Sequence, residues 1–130
     1  MNAGSDERPQ VYSIRISTQA AQDIVEAVRR LIGLSGDDAA EVWRDRLLAE
    51  IATLAENPRR FAVDERAARR LKPQTRRMLF RPTPGSAAYH VYYTVQADTP
   101  DGPRVGVMHV RHAARRPITR EEALRILGNQ

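Results

Sequence analysis

Hydrophobic and polar positions alternate from Val11 to Ile16, with Tyr12, Ile14 and Ile16 on one side and Ser13 and Arg15 on the other. A period of two predicts a half-buried strand. Ser17 or Thr18 then offers a side-chain oxygen to cap a helix. In that helix Ala21, Ile24, Val28, Leu31 and Ile32 recur at three- and four-residue steps and form one buried stripe. Gly33 and Gly36 predict its end. A second helix starts at Asp37 or Asp38, whose carboxylates suit a positive helix N-terminus. Ala40, Trp43, Leu47, Ile51 and Leu54 make its apolar stripe, and Asn57-Pro58 stops it, because a residue before proline is biased away from helix. Two helices joined by about four residues predict an antiparallel hairpin.

From Arg59 to Thr75 the sequence is basic and carries no period that assigns an element. Three strands are predicted at Arg76–Arg81, Ala88–Val95 and Arg104–His112, separated by turn-forming stretches at Pro82, Pro84 and Gly85 and at Asp98 to Pro103. Thr119-Arg120-Glu121-Glu122 is a capping box. It opens a short helix with Ala123, Leu124 and Leu127 apolar. The expected fold is therefore α+β: an N-terminal strand, an antiparallel helix hairpin packed on a mainly antiparallel four-stranded sheet, and a short C-terminal helix. It occupies one domain over residues 11–127, after a polar, aperiodic and disordered tail at 1–10. The second face of the sheet is expected to be open or covered by a partner.

Composition narrows the class. A chain of 130 residues, 42% hydrophobic and 28% charged, fits one globular domain. No apolar run approaches the roughly 20 residues of a membrane span, and no apolar stretch follows a basic start. With no cysteine there is no disulfide, no thiolate metal site and no cysteine nucleophile, which points to the cytoplasm. The net charge of +5 is unevenly placed: residues 58–82 carry eight Arg and one Lys against two acids. Such a block suits a polyanion or an acidic protein partner. Phosphate-binding glycine loops, nucleophile elbows and zinc-protease helices are absent.

Strand alternation predicts what the second sheet face displays. With Met78 and Phe80 inward, Arg77 and Arg81 point outward. Tyr89, Val91, Tyr93 and Val95 form the inward set of the long strand, leaving His90, Tyr92 and Thr94 outward. Met108 and Val110 suit the core, which puts His109 and Arg111 outside. Arg15, Arg77, Arg81, His90, Tyr92, His109 and Arg111 would then form a cationic face able to bind phosphates. His112, Arg115 and Arg116 continue it at the strand's exit. The histidines at 109 and 112 point to opposite faces with no nearby carboxylate or thiolate, so neither a metal nor another cofactor is expected.

Three stretches carry a resemblance. Leu54-Ala55-Glu56-Asn57-Pro58-Arg59-Arg60-Phe61, Tyr89-His90-Val91-Tyr92-Tyr93-Thr94-Val95, and Val107-Met108-His109-Val110-Arg111-His112-Ala113-Ala114-Arg115-Arg116-Pro117 resemble, in order, parts of RelE/ParE toxins. These are the second helix end, the central strand, and the last strand with its exit. The resemblance spans about residues 11–127. It implies the toxin of a type II toxin–antitoxin (plasmid stabilisation) module, held in a hetero-oligomer by a cognate acidic antitoxin. That partner is expected to lie in the grooves beside the helix hairpin and on the basic block together. RelE-like members cleave messenger RNA on the ribosome without metal, and ParE-like members inhibit DNA gyrase. Arg81, His90 and Arg111 are the catalytic set if this protein cleaves RNA, and Arg77, Tyr92, His109, His112, Arg115 and Arg116 bind the target or nucleic acid. No tyrosine follows Tyr93, so the late tyrosine common in cleaving members has no counterpart. That favours the gyrase-directed branch; a non-toxic antitoxin-binding protein is the third reading.

Overall fold

The computed structural model describes residues 10–130, so most of the tail expected at 1–10 lies outside the described residues. Strand β1 (Ser13–Ile16) leads to helix α1 (Thr18–Ser35), then α2 (Asp37–Ala52), a short α3 (Glu65–Arg70), strands β2 (Arg76–Phe80), β3 (Tyr89–Gln96) and β4 (Arg104–His112), and helix α4 (Arg120–Gly128). The sheet order is β1-β4-β3-β2. β1 runs parallel to β4, and the β4–β3 and β3–β2 pairs are antiparallel.

Ser17 caps α1, its Oγ accepting from the Ala20 amide at 3.0 Å. The same oxygen donates to the carbonyl of Met108, tying the helix start to β4. The buried stripe of α1 is Ala20, Ile24 and Ala27, flanked by the partly buried Val28 and Leu31. Ala21 and Ile32, expected inside, are exposed. Gly33 does not end the helix. Only Gly36 separates α1 from α2, and its φ of 89° is a conformation that a side chain resists. On α2 the predicted Ala40, Trp43, Leu47 and Ile51 are buried, and Leu54 continues the stripe in a 3-10 turn, Thr53–Ala55. A second such turn, Pro58–Arg60, follows Asn57 in the left-handed region.

The helix pair and one sheet face enclose the larger core. Trp43 meets Phe80 and Tyr89 edge-on, with Leu47, Met78, Val91, Tyr93, Val105 and Val107 around them. The hydroxyl of the fully buried Tyr93 donates to the Pro58 carbonyl, which satisfies the one polar atom this side chain brings inside.

The second face is not open. Tyr92 and Met108 pack there against Ala67 and Leu71 from α3 and its end, and against Ile118, Ala123 and Ile126 from α4 and its approach. Sequence periodicity put Met108 on the helix side. Instead, β4 pairs His109 with Tyr92 and Val107 with Tyr93, leaving Met108 as the extra residue of a β-bulge. Two residues then oppose one, so Met108 and His109 share a face while Val107 and Val110 keep theirs.

Because β1 pairs only as far as Val107, the second half of β4 lacks a strand neighbour on that side. Helix α1 supplies one substitute: Asp23 Oδ2 accepts from the Val110 amide at 2.9 Å and lies 2.7 Å from His109 Nδ1. A side-chain acceptor thereby takes the place of a ladder carbonyl at a buried edge.

Candidate functional site: a cationic cavity on the second sheet face

A cavity of about 330 Å³ opens where β2, β3 and β4 meet α3 and the exit of β4. Its floor is sheet: Arg77 comes from β2, His90 and Tyr92 from β3, and Arg111 and His112 from β4. The register explains the grouping, since Arg77 pairs with Tyr92 and His90 with Arg111. One wall is α3, through Arg66, Ala67 and Arg70; the other is the turn carrying Arg115, Arg116, Pro117 and Ile118.

Asp64 holds the α3 wall in place. Its Oδ1 caps the helix at the Ala67 amide, its backbone amide donates to the Thr75 carbonyl, and its Oδ2 takes an ion pair from Arg77 at 3.2 Å. Arg77 in turn lies beside the Tyr92 hydroxyl. Burial is the main cause that pushes the Tyr92 phenol above its ordinary value, with Asp64 adding and the arginines opposing. Burial also pulls His90 below the usual histidine value, and the Arg77 charge adds to the shift. His90 is therefore an uncharged ring among cations at pH 7.

Arg111 has a different role from the one alternation suggested. It is 3% exposed, and its two terminal nitrogens reach Glu122 of α4 at 3.0 and 3.1 Å. It also donates to the Arg116 carbonyl at 2.8 Å. Arg115 meets Glu122 as well, at 2.9 Å. Glu122 further accepts from the Thr119 amide, completing the capping box expected from sequence. Arg111 foremost, and Thr119 after it, hold the Glu122 carboxyl at about 2 against the opposing effect of burial.

Of the residues singled out from sequence, Arg77, His90, Tyr92, Arg111, His112, Arg115 and Arg116 line this one cavity. His109 lies behind it, buried and stacked on Tyr92 with ring centres 5.9 Å apart. Arg81 does not join them. It follows the end of β2 and lines a separate groove with Arg46 and Glu50 of α2. Arg15 is also remote, within reach of the Gln130 carbonyl at the other end of β4. The sequence reading missed Arg66 and Arg70, which sit on a six-residue helix with too little apolar character to announce itself.

The basic block at 58–82 is divided between locations. Arg60 and Arg76 bond backbone carbonyls around the 3-10 turns, and Arg59 donates to the Tyr12 hydroxyl. Arg66, Arg70 and Arg77 face the cavity. The block therefore does not form one surface with the grooves of the helix pair. Among the described residues no group of three or more His, Cys, Asp or Glu side chains is placed to hold a metal ion, and no helix is long and apolar enough to cross a membrane.

Among known proteins, no curated sequence matches significantly. A chain of the solved structure described as "Chromosomal ParDE TA system from P. aeruginosa" superposes with a TM-score of 0.60 at 14% identity, covering 79% of this chain and 97% of that one. That likeness is one of fold. The family described as "ParE toxin of type II toxin-antitoxin system, parDE" matches residues 14–117, from β1 to the turn that walls the cavity. With most of its length so matched, the chain belongs to the ParE toxin family of type II toxin–antitoxin systems.

Proposed function

We propose that this toxin acts by binding DNA gyrase and cleaves no RNA, and that its cognate antitoxin seats an amphipathic segment on the helix pair. The observation that carries the first part is the commitment of Arg111 to Glu122. Metal-free RNA cleavage needs a base at the 2′-hydroxyl and a free cation for the phosphorane, each contributing roughly 10²–10⁴ in rate. Arg111 is neutralised and buried, and Arg81 faces another groove. Of the candidate set only His90 remains free in the cavity, with Arg81 in another groove and Arg111 spent on its ion pair, which supports a binding toxin. The antitoxin reading is supported by exposed Val25, Ile32 and Leu34 on α1 and Val42 and Leu48 on α2, an apolar set that a partner helix would cover.

A supercoiling assay with purified gyrase and a map of messenger 5′ ends after induction test the target together. Loss of supercoiling with an unchanged messenger map is the expected result. Discrete new messenger ends with gyrase unaffected would instead select RNA cleavage, for which uncharged His90 beside Arg77 is the remaining base and cation.

A further inference from the structure

Helix α2 carries five acids against two arginines in a chain whose net charge is +5, while α1 balances two against two. At about 100° per residue, Asp38, Glu41, Val42, Asp45, Leu48 and Ala49 fall in one arc of about 120°, opposite the buried Ala40, Trp43, Leu47 and Ile51. All six are exposed, and the arc holds no Lys or Arg. Among the described residues Asp38 and Glu41 pair with no cation, and Asp45 meets only its neighbour Arg44, at 3.2 Å with both side chains exposed. Asp38 suits the positive end of its own helix. Glu41 and Asp45 lie beyond that first turn, one turn apart and alike in charge, an arrangement that weakens a helix. Val42 and Leu48, 53% and 38% exposed, lie among these carboxylates. Resting on the antitoxin's seat on the helix pair, we propose that the segment covering α2 is a basic amphipathic helix. Its apolar stripe meets Val42 and Leu48, and its Lys or Arg flanks meet Asp38, Glu41 and Asp45.

The helical form follows from α2 itself. A helix satisfies its own backbone groups, so a partner gains side-chain contacts alone, and another helix presents those as a stripe. The charge follows from the three carboxylates. Acidic flanks would meet like charges on this arc, and the net charge of +5 would draw them to Arg66, Arg70 and Arg77 on the other side of the sheet. A second copy of the chain fits less well. Its cations Arg66, Arg69 and Arg70 sit on α3 with no large exposed apolar residue on that helix, and α4 offers Leu124 alone.

Two labelled, stapled helical peptides with the same leucine stripe, one flanked by lysine and one by glutamate, serve as probes of the full-length toxin in fluorescence anisotropy. The lysine peptide should bind about tenfold tighter, against the sign of the toxin's net charge. Asp38→Asn/Glu41→Gln/Asp45→Asn should abolish that preference. The same loss of charge elsewhere, through Asp98→Asn/Asp101→Asn/Glu121→Gln, should keep it. All six side chains are exposed, so matched thermal melts check folding of both variants. The preference should also shrink between about 0.1 and about 1 M salt, as the screening length falls from about 10 to about 3 Å. Val42→Ser/Leu48→Ser should weaken both peptides. Equal or tighter binding of the glutamate peptide, or a preference that survives loss of the three α2 acids, overturns the basic segment while leaving the seat. Failure of both peptides to bind, or binding untouched by Val42→Ser/Leu48→Ser, overturns the seat on the helix pair as well. Self-association of the wild type that Val42→Ser/Leu48→Ser abolishes would put a second copy on this face and overturn the proposal.

Discussion

Arg111 and Glu122 face each other through two parallel hydrogen bonds, 3.0 and 3.1 Å long, between a strand and a helix that cover one another from water. Such a pair costs desolvation on both sides, and losing one partner leaves the other charge buried and uncompensated. Glu122→Ala should therefore destabilise the fold by about 3 kcal/mol or more. The double variant Arg111→Met/Glu122→Leu should recover most of that loss, because it removes both charges and keeps the volume. Urea denaturation of the two variants checks the contrast. Equal destabilisation by both would show that packing at these positions outweighs the ion pair.

The same carboxyl makes stability depend on acidity. Its folded-state value of about 2 lies below the 4.5 of the unfolded chain, so its contribution is complete above 4.5 and is lost as pH falls towards 2. That difference corresponds to about 3 kcal/mol. The urea midpoint should fall across this window, and Glu122→Gln should flatten the part of the fall that Glu122 causes. A midpoint profile parallel in both proteins would contradict the assignment.

His90 shifts in the opposite chemical sense. Burial and Arg77 disfavour its charged form, so the ring should titrate below the ordinary 6.5 in an NMR pH series. Arg77→Ala should raise it part of the way back and no further, because burial is the larger cause. Since the folded-state value is depressed, this histidine costs stability as pH drops below 6.5, where the unfolded chain takes up the proton first.

How much of this was visible in the sequence follows from the range of each interaction. Strand alternation placed Arg77, His90 and Tyr92 on one face, and the capping box at Thr119 was readable because its partners are three residues apart. Helix α3 was not, since Glu65-Arg66-Ala67-Ala68-Arg69-Arg70 buries Ala67 and little else. The bulge at Met108 has no local signature, and it decided which face Met108 takes. Arg111 was legible as a cation but not as a paired one, because Glu122 reads from sequence as a cap for its own helix. Arg81 was placed correctly relative to Phe80 only if β2 continued, and β2 ends at Phe80 before Pro82.

Asp23 offers a further test of the edge substitution beside β4. Asp23→Ala removes the acceptor from the Val110 amide and the partner of His109 Nδ1 at once. His109 Nε2 already lacks a hydrogen-bond partner in this buried setting, so the ring would have none. A cost of about 2 kcal/mol is expected from the buried donors left unsatisfied. Hydrogen exchange should show the Val110 amide losing protection ahead of the Val91 amide on the neighbouring strand, and equal protection of both would argue against the role given to Asp23.

Toxicity should separate from stability within the β4 exit. Arg111 and Arg116 are five residues apart and line the same cavity, but only Arg111 is buried against a carboxylate. Arg116 is exposed, and its backbone carbonyl, which any residue would supply, is what Arg111 uses. Arg116→Glu should therefore melt within a degree or two of the wild type, as expected for a surface substitution of about 0.5 kcal/mol or less. It should still abolish growth arrest if the exit meets the toxin's target. Arg111→Ala should lose arrest together with stability. Growth curves after induction, read beside thermal melts of both proteins, distinguish the two routes to inactivity. An Arg116→Glu protein as toxic as the wild type would remove the β4 exit from the target surface and direct attention to α4, where Leu124 is 67% exposed.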